Sequence, residues 1–227
     1  ELFLLVTLVD QRSSVRQTLG VSGALAQDDT TEARRQVRAL AGEGMDPQRI
    51  DQLDAHGLGL AAVRGLGKRF AAAVLAPVFW FVLLGPPGIF LQQTVRAVAT
   101  VVATGNRPGG GGVDLGREGD FAFPALRLDR ALEWLPDRLA GLILTLAAVF
   151  VPGTHPMTAL RRLPKARSWS IGALGGALAL AARADASFAS IAEAGEKTLR
   201  RAVAIFGVGC LINAGLVAAL VLLRQAV

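Results

Sequence analysis

Long apolar runs alternate with charged segments along the chain. The clearest run is 202–223 (AVAIFGVGCLINAGLVAALVLL), which has 22 residues and no charge. As a helix it would be about 33 Å long, enough to cross a hydrocarbon core of about 30 Å. The pattern predicts a transmembrane helix at 202–223.

A second charge-free stretch of 22 residues, 70–91, contains helix breakers. The sequence GPPG at 85–88 interrupts the helical hydrogen bonding after Leu84, and Pro77 is expected to kink the helix earlier. A kinked span and a re-entrant hairpin both fit this pattern. We favour the kinked span, because non-helical backbone inside a bilayer has to be covered by protein or water.

Three shorter apolar runs complete the pattern. Residues 2–9 resemble the end of another apolar helix, and because the chain opens at Glu1 we expect further residues before it. The run 139–151, entered through Trp134, is predicted to span with help from its flanks. The run 171–182 is only twelve residues long and is predicted to be a buried or interfacial helix.

The polar region 10–69 predicts helices outside the bilayer. Asp29, followed by Glu32, is typical of a helix start, and Pro47 suits the first position of another helix. Farther along, 92–104 predicts a mildly amphipathic helix. The glycine-rich segment after it lacks the lysine and Ser/Thr of a phosphate-binding loop, so it is interpreted as a flexible linker.

These elements predict an all-α, polytopic integral membrane protein with about three to five transmembrane or re-entrant helices and additional cytoplasmic amphipathic helices. The hydrophobic content of 52% and the mean hydropathy of +0.44 agree with a membrane protein. We predict one membrane domain over 1–227. Its parts are an extramembrane helical region (10–69), kinked or re-entrant membrane helices (70–104), a glycine-rich loop (105–126), membrane and interfacial helices (127–182) and a transmembrane helix (202–223).

The net charge of +6 is spread over loops beside apolar runs, which argues against nucleic-acid binding. If 171–182 does not cross the bilayer, the segments 10–69 and 152–201 share one side and carry 17 basic residues, against seven in 92–138 plus Arg224. Basic residues favour cytoplasmic loops. The predicted location is therefore the bacterial inner membrane, with several passes.

Candidate chemistry is sparse. His56 and His155 have no metal-binding neighbour three or four residues away, and Cys210 is the only cysteine. We predict no catalytic, cofactor-binding or metal-binding residues. Inside the predicted bilayer, Asn213 could mark a transport path, but a helix-packing role is favoured. It is accompanied by a stripe of small residues, Cys210, Ala214 and Ala218.

Three sequence blocks carry a resemblance to a known family. They are LAPVFWFVLLGPPG at 75–88, RLDRALEWLPDRLAGL at 127–142 and SWSIGALGGALAL at 168–180. In this order they resemble the membrane-bound adenosylcobinamide-phosphate synthases of cobalamin biosynthesis (the CobD/CbiB family) and the related AmpE-type membrane proteins. The positions that keep the family motif are Asp129, Pro136, Arg138 and Trp169.

Other motif positions differ from the family pattern. Arg64 and Lys68 stand where the resemblance implies carboxylates, and Ala72 stands for an aspartate. Arg96 replaces an asparagine and Ala99 a second aspartate. The family joins a phosphorylated amino alcohol to a corrinoid carboxylate, and carboxylates and amides suit a metal ion and phosphate in such chemistry. Arginine has no acceptor for a metal, so the resemblance with these changes predicts a non-catalytic homologue.

Three functions are predicted, two from the resemblance and one from polar residues in the predicted bilayer. The first is a non-catalytic membrane homologue that acts as an accessory subunit of a larger complex or as an AmpE-like regulator. The alternatives are an active synthase and a small transporter, the latter based on Asn213 and Arg96. Expected partners are membrane lipid and other membrane subunits, without nucleic acid or metal. Candidate lipid or partner contacts are Phe79, Trp80 and Phe81, and candidate headgroup or partner contacts are Arg161, Arg162, Lys165 and Arg167.

Overall fold

The computed structural model describes residues 2–41, 47–105, 119–180 and 196–226, and within these residues the regular structure is all helical. The α-helices in chain order are α1 (Leu2–Ala26), α2 (Thr30–Ala41), α3 (Pro47–Asp51), α4 (Ala55–Arg69), α5 (Ala76–Leu84), α6 (Pro86–Gly105), α7 (Gly119–Val149), α8 (Pro156–Arg162), α9 (Trp169–Ala177) and α10 (Glu196–Ala226). A π-helical segment, Phe70–Leu75, joins α4 to α5.

Among the described residues, two helical segments are long and apolar enough to cross a membrane. Ala55–Leu84 is continuous through the π-helical segment, has 30 residues and contains an 18-residue window with a mean hydropathy of 1.6. Glu196–Ala219 contains an 18-residue window with a mean hydropathy of 2.2. In the described residues the predicted run 139–151 is not a third such helix, because it is the end of α7, whose first half is charged. The predicted number of three to five spans stays a prediction.

The core lies where α4, the π-helical segment, α7 and α10 meet. Phe70 is fully buried there and packs edge to face against Phe206, with 5.6 Å between the ring centroids. Gly209 of α10 permits this contact, because a Cβ at that position would lie 3.1 Å from the Phe70 ring. Such close packing fixes the position along α10 at which it contacts the π-helical segment.

The chain reverses direction between α5 and α6. Gly85 has a φ of 70°, which favours glycine, and α5 ends there. Gly88 then lies directly against the backbone of Trp80, where a Cβ would overlap the carbonyl oxygen of Trp80. The segment 70–91 therefore contains the turn of a helical hairpin formed by α5 and α6. The choice between a kinked span and a re-entrant hairpin for its place in a bilayer stays a prediction.

Pro77 leaves a backbone carbonyl without its usual donor. In the π-helical segment the N–H of Ala76 donates five residues back to the carbonyl of Ala71. Pro77 has no N–H, so it cannot make the next such bond, to Ala72. Arg96 of α6 supplies the donor instead, with 2.7 Å between its Nη1 and the Ala72 oxygen. The arginine considered for a transport path thus ties α6 to the π-helical segment.

Pro136 creates a similar gap inside α7. Its missing N–H would have bonded the carbonyl of Leu132, and the indole Nε1 of Trp80 donates to that oxygen at 3.4 Å. Pro136, one of the retained motif positions, lies within the 31-residue α7. Neighbouring helices commonly satisfy carbonyls freed by proline in membrane proteins. Trp80, predicted to face lipid or a partner, also serves this contact within the chain.

Several predicted boundaries can now be compared with the helices. The start at Asp29 is confirmed, since its carboxylate accepts from the N–H groups of Thr31 and Glu32, and α3 begins at Pro47 as predicted. The first helix was expected to end near residue 9, whereas α1 continues to Ala26 because no glycine or proline interrupts it earlier than Gly20.

The predicted loop 105–126 is partly wrong, because α7 already begins at Gly119. A proline near a helix start, such as Pro124, removes only one backbone bond and does not prevent the helix from forming. Residues 106–118 of that predicted loop lie outside the described residues. The short helix predicted at 171–182 is observed as α9 and is largely buried, although it ends at Ala177 and residues 181 and 182 lie outside the described ranges.

Candidate functional site

A basic cleft of about 1450 Å³ opens between α4, α7, α8 and α9. Among the described residues, nine basic side chains line it, against two carboxylates, Glu133 and Asp137. The basic residues are Arg49, Arg64, Lys68, Arg130, Arg138, Arg161, Arg162, Lys165 and Arg167. A concave surface with this excess of positive charge attracts anions and concentrates them near the protein.

A row of carboxylates on α7 lies near cations of neighbouring helices. On α7, Asp129, Glu133 and Asp137 are spaced four residues apart and therefore share one helix face. Burial raises the pKa of both Asp129 and Glu133, and the charge of Lys68 on α4, which also lines the cleft, opposes this rise. Arg96 of α6 acts on the same two carboxyls. The retained Asp129 is thus placed beside two of the cations that replace family motif residues.

Asp137 positions the wall of the cleft formed by α9. Its carboxylate accepts from the backbone N–H of Trp169 at 2.7 Å and from that of Ser170 at 3.3 Å. The hydroxyls of Ser168 and Ser170 donate to Oδ1 at 2.9 and 2.5 Å. The first N–H groups of a helix lack partners within the helix, and a carboxylate there also interacts favourably with the helix dipole. Asp137 therefore caps α9 from another helix.

Arg138 lies between two indole rings. Its guanidinium carbon is 4.0 Å from the centroid of the Trp134 ring and 4.8 Å from that of Trp169. Gly141, one turn farther along α7, allows Trp169 to approach, because a Cβ there would lie 2.6 Å from the Trp169 Cβ. Stacking between aromatic faces holds an arginine in one orientation. Two of the retained motif positions, Arg138 and Trp169, are thereby brought into direct contact.

The carboxyls of Asp129 and Glu133 have raised pKa values. Burial is the main cause for both, since it disfavours the charged form, and Asp129 raises the pKa of Glu133 further by its own charge. Arg96 and Lys68 oppose this effect for both carboxyls without cancelling it. The folded protein therefore holds protons on these groups to higher pH than the unfolded chain does.

We expect Glu133→Gln to stabilise the protein more at pH 7.5 than at pH 4.5. Because the pKa is raised in the folded state, the wild-type stability falls as pH rises above the ordinary value of about 4.5 through the raised pKa. Glutamine cannot ionise, so the stability of the variant does not fall over this pH range. Thermal unfolding in detergent, followed by tryptophan fluorescence, should show a gain of about 2–4 °C at pH 7.5, equivalent to about 1 kcal/mol.

Glu32→Gln is the matched control for this prediction. Glu32 lies on α2, and a hydrogen bond from Arg35 lowers its pKa. That carboxylate is favoured in the folded state at neutral pH, so its replacement should give no gain there. An unchanged pH dependence of the melting temperature in Glu133→Gln would contradict the proposed burial effect.

The four basic residues predicted to contact lipid headgroups or a partner are grouped around the cleft. Arg161, Arg162, Lys165 and Arg167 all line the basic cleft. Arg162 donates through Nη1 to the carbonyls of Leu180 and Gly175, the latter at 3.3 Å, so it holds the end of α9. The other three are exposed. Contact of these residues with lipid or a partner stays a prediction.

The other candidate contacts lie away from the cleft. Phe79 packs on the Trp80 ring with 5.3 Å between centroids, whereas Phe81 is exposed near the hairpin turn. On α10, Asn213 is buried and Cys210 is half-buried beside α1, but Ala214 and Ala218 are exposed. Ala214 and Ala218 are therefore not packed against the described part of the chain, and the role of the stripe in helix packing or partner contact stays a prediction.

A divalent metal does not fit the carboxylates of the cleft. Within the described residues, no three side chains of Asp, Glu, His or Cys come together as a metal-binding group. Asp129 and Glu133 already have two cations, Lys68 and Arg96, as electrostatic partners. A metal ion would have to displace or repel these groups.

Glu133 and Asp137 were not among the residues predicted from the sequence, although both line the basic cleft. Their spacing of four residues from Asp129 and from each other was visible in the sequence and predicts a shared helix face. The helix partner of Asp137 was not visible, because Trp169 is 32 residues away. A signal therefore existed for the row of carboxylates, but not for the cap that one of them makes.

Comparison with known proteins gives a consistent result. The family model described as CobD/Cbib protein matches residues 1–186. The cobalamin biosynthesis protein CobD of Brucella suis is 28% identical over 191 residues, which cover 80% of this chain and 54% of that protein. The probable cobalamin biosynthesis protein CobD of Methanothermobacter thermautotrophicus is 30% identical over 148 residues, 65% of this chain and 45% of that protein.

These relatives are longer than the chain. It spans about half the length of the curated relatives it matches. No solved structure matches it. The family match covers α1 to α9, including the cleft, the hairpin and the retained motif positions. On this evidence the chain belongs to the CobD/CbiB family.

Proposed function

We propose that this chain serves cobalamin biosynthesis as a multi-pass protein of the bacterial inner membrane that binds a phosphate-bearing compound in its basic cleft. The observation that carries the proposal is the excess of nine basic side chains over two carboxylates in that cleft. Phosphate groups are bound by arginine and lysine through charge-assisted hydrogen bonds. The family resemblance implies a phosphorylated amino alcohol as the compound.

The chain, as proposed, binds this compound without joining it to a corrinoid. Lys68 and Arg96 act on the pKa of Asp129 and Glu133, and no three-residue metal group exists in the described part of the chain. Transfer chemistry at a phosphate commonly uses a metal to neutralise developing charge. A binding protein of this kind would act as an accessory subunit of a membrane complex or as an AmpE-like regulator.

An active synthase is the second candidate. It is favoured by the carboxylate row of Asp129, Glu133 and Asp137 on one face of α7, because an enzyme that forms an amide needs a group to accept a proton from the amine. The raised pKa of Glu133 brings it closer to the range useful for proton transfer. The two candidates differ in turnover but share the anion-binding cleft.

Calorimetry of the detergent-purified chain with phosphoethanolamine, the simplest phosphorylated amino alcohol, tests the binding proposal. Ethanolamine, which lacks the phosphate, should not bind. The triple variant Arg161→Gln, Lys165→Gln, Arg167→Gln should bind at least about tenfold more weakly, because the loss of even one hydrogen bond between charged groups, about 1.5 kcal/mol or more, weakens binding by about that factor. Arg35→Gln on α2, outside the cleft lining, should bind as wild type does.

Complementation separates the two candidates. A bacterial strain that lacks the synthase should not regain cobalamin-dependent growth when this chain is expressed at normal level in its membrane. Restored growth would instead establish the second candidate. Equal binding of phosphoethanolamine by wild type and the triple variant, or no binding by either, would overturn the anion-binding proposal itself.

A further inference from the structure

An open groove of about 680 Å³ runs between α1 and α10, away from the basic cleft. Most of its lining is apolar, and two arginines of α1 also border it. The lining residues are Arg12, Val15, Arg16, Leu19, Phe206, Gly207, Cys210 and Leu211. Its position beside α10 matters because α10 carries the more apolar of the two candidate spans.

The groove has a defined floor and exposed sides. Phe206 is almost fully buried, and next to it Gly207 has open space where a side chain would stand, with nothing within 4 Å. Leu211 is 73% exposed and Leu19 is 43% exposed on the two flanking helices. Contact of these exposed leucines with water is unfavourable, whereas covering them with a hydrocarbon chain lowers the free energy.

The polar border of the groove is positively charged. Arg12 and Arg16 are one helical turn apart on α1 and therefore point to the same side. Both are exposed, and in the part of the chain that the structure describes neither takes part in an ion pair. Two exposed arginines beside an apolar groove match a ligand that joins an anionic phosphate to a hydrocarbon chain.

We propose that this groove binds an anionic phospholipid of the surrounding membrane, with one acyl chain along Phe206 and Gly207 and the phosphate headgroup on Arg12 and Arg16. A soluble phosphate compound would leave the exposed apolar sides, Leu19 and Leu211, uncovered. The site differs from the four basic residues of the α8 region that the sequence suggested for headgroups, since those line the basic cleft. It is independent of any activity in that cleft.

Lipid retention tests the proposal directly. The chain is purified in a neutral detergent, stripped of lipid, and mixed with micelles containing phosphatidylglycerol or phosphatidylcholine. Native mass spectrometry should show that wild type retains phosphatidylglycerol about tenfold better than phosphatidylcholine, because two basic residues contact the anionic headgroup. Phosphatidylglycerol should also raise the melting temperature, and inorganic phosphate alone should not.

Two variants address the two halves of the site. Arg12→Gln with Arg16→Gln should remove the preference for phosphatidylglycerol. Gly207→Leu should fill the floor and weaken retention of both lipids severalfold. Gly215→Leu, also on α10 with nothing within 4 Å but outside the groove lining, and Arg35→Gln on α2 are the matched controls and should retain lipid as wild type does.

Three outcomes would overturn the proposal. Wild type could retain both lipids equally, or the groove variants could retain phosphatidylglycerol as well as their controls. A third outcome is a dimer, seen by mass, that persists without lipid and is lost in Gly207→Leu but not in Gly215→Leu. That result would assign the groove to a second copy of this chain.

Discussion

Replacing Asp137 by alanine should lower the free energy of unfolding by about 2–4 kcal/mol and open the wall of the basic cleft. The carboxylate accepts four hydrogen bonds, from the N–H groups of Trp169 and Ser170 and from the hydroxyls of Ser168 and Ser170. Ser170 is fully buried, so its donors would lose their partner where water cannot readily replace it. Chemical unfolding of the detergent-solubilised chain, followed by tryptophan fluorescence, measures the change.

The matched control is Asp29→Ala, which removes another carboxylate cap. Asp29 accepts from the N–H groups of Thr31 and Glu32 at 3.1 and 3.0 Å, but on the exposed start of α2. Its loss should cost about 1 kcal/mol, since water can replace the bonds. Binding of phosphoethanolamine should weaken in Asp137→Ala and stay unchanged in Asp29→Ala. Equal losses of stability in the two variants would contradict a special role for Asp137.

The cap of α9 illustrates what the sequence could not predict. Ser168 precedes α9 and by itself suggests a conventional cap in which a serine accepts from its own helix. In the structure its hydroxyl instead donates to Asp137, and Asp137 accepts from the helix. Local sequence patterns predict helix starts well, as at Asp29 and Pro47. They do not reveal a partner that comes from another helix.

The clustering of basic residues in the cleft also could not be predicted from the sequence. Along the sequence, Arg64 and Arg161 belong to separate charged segments, and each segment alone is typical of a solvated cytoplasmic loop. The packing of α9 against α4, α7 and α8 brings them to one surface. Because nearly 100 residues separate these groups, the concentration of charge depends on the tertiary fold. The family resemblance indicated which positions had changed charge, but not that the replacements face one cleft.

The prolines indicated from the sequence which backbone carbonyls lack a helical donor, but not what replaces that donor. Pro77 and Pro136 predict that a backbone carbonyl is left without its helical donor wherever the helix continues. The sequence could not show that the helices do continue, nor that Arg96 and Trp80 would supply the missing donors. Both donors depend on the reversal of the chain at Gly85, which places α6 beside the π-helical segment and α5 beside α7.

The second large effect on stability is expected for Gly88→Ala, a substitution at this reversal of the chain. An alanine Cβ would overlap the carbonyl oxygen of Trp80 and lie 2.9 Å from the Leu84 Cβ. Because the overlap is with backbone, no side-chain rotation relieves it, and α6 has to move away from α5. We expect a loss of about 3 kcal/mol in stability. Separation of the two helices should also break the bond from Arg96 to the Ala72 carbonyl.

Gly215→Ala distinguishes this steric effect from a general effect of placing alanine in an apolar helix. Gly215 lies in α10, and a Cβ there meets nothing within 4 Å. Alanine is the better helix former, so this variant should be unchanged or more stable by up to about 1 kcal/mol. If Gly88→Ala is equally stable, the close approach of α6 to Trp80 does not hold. If it is unstable while Gly215→Ala is not, and Arg96→Gln partly reproduces its loss, the bond from Arg96 to the Ala72 carbonyl accounts for part of the stability of the hairpin.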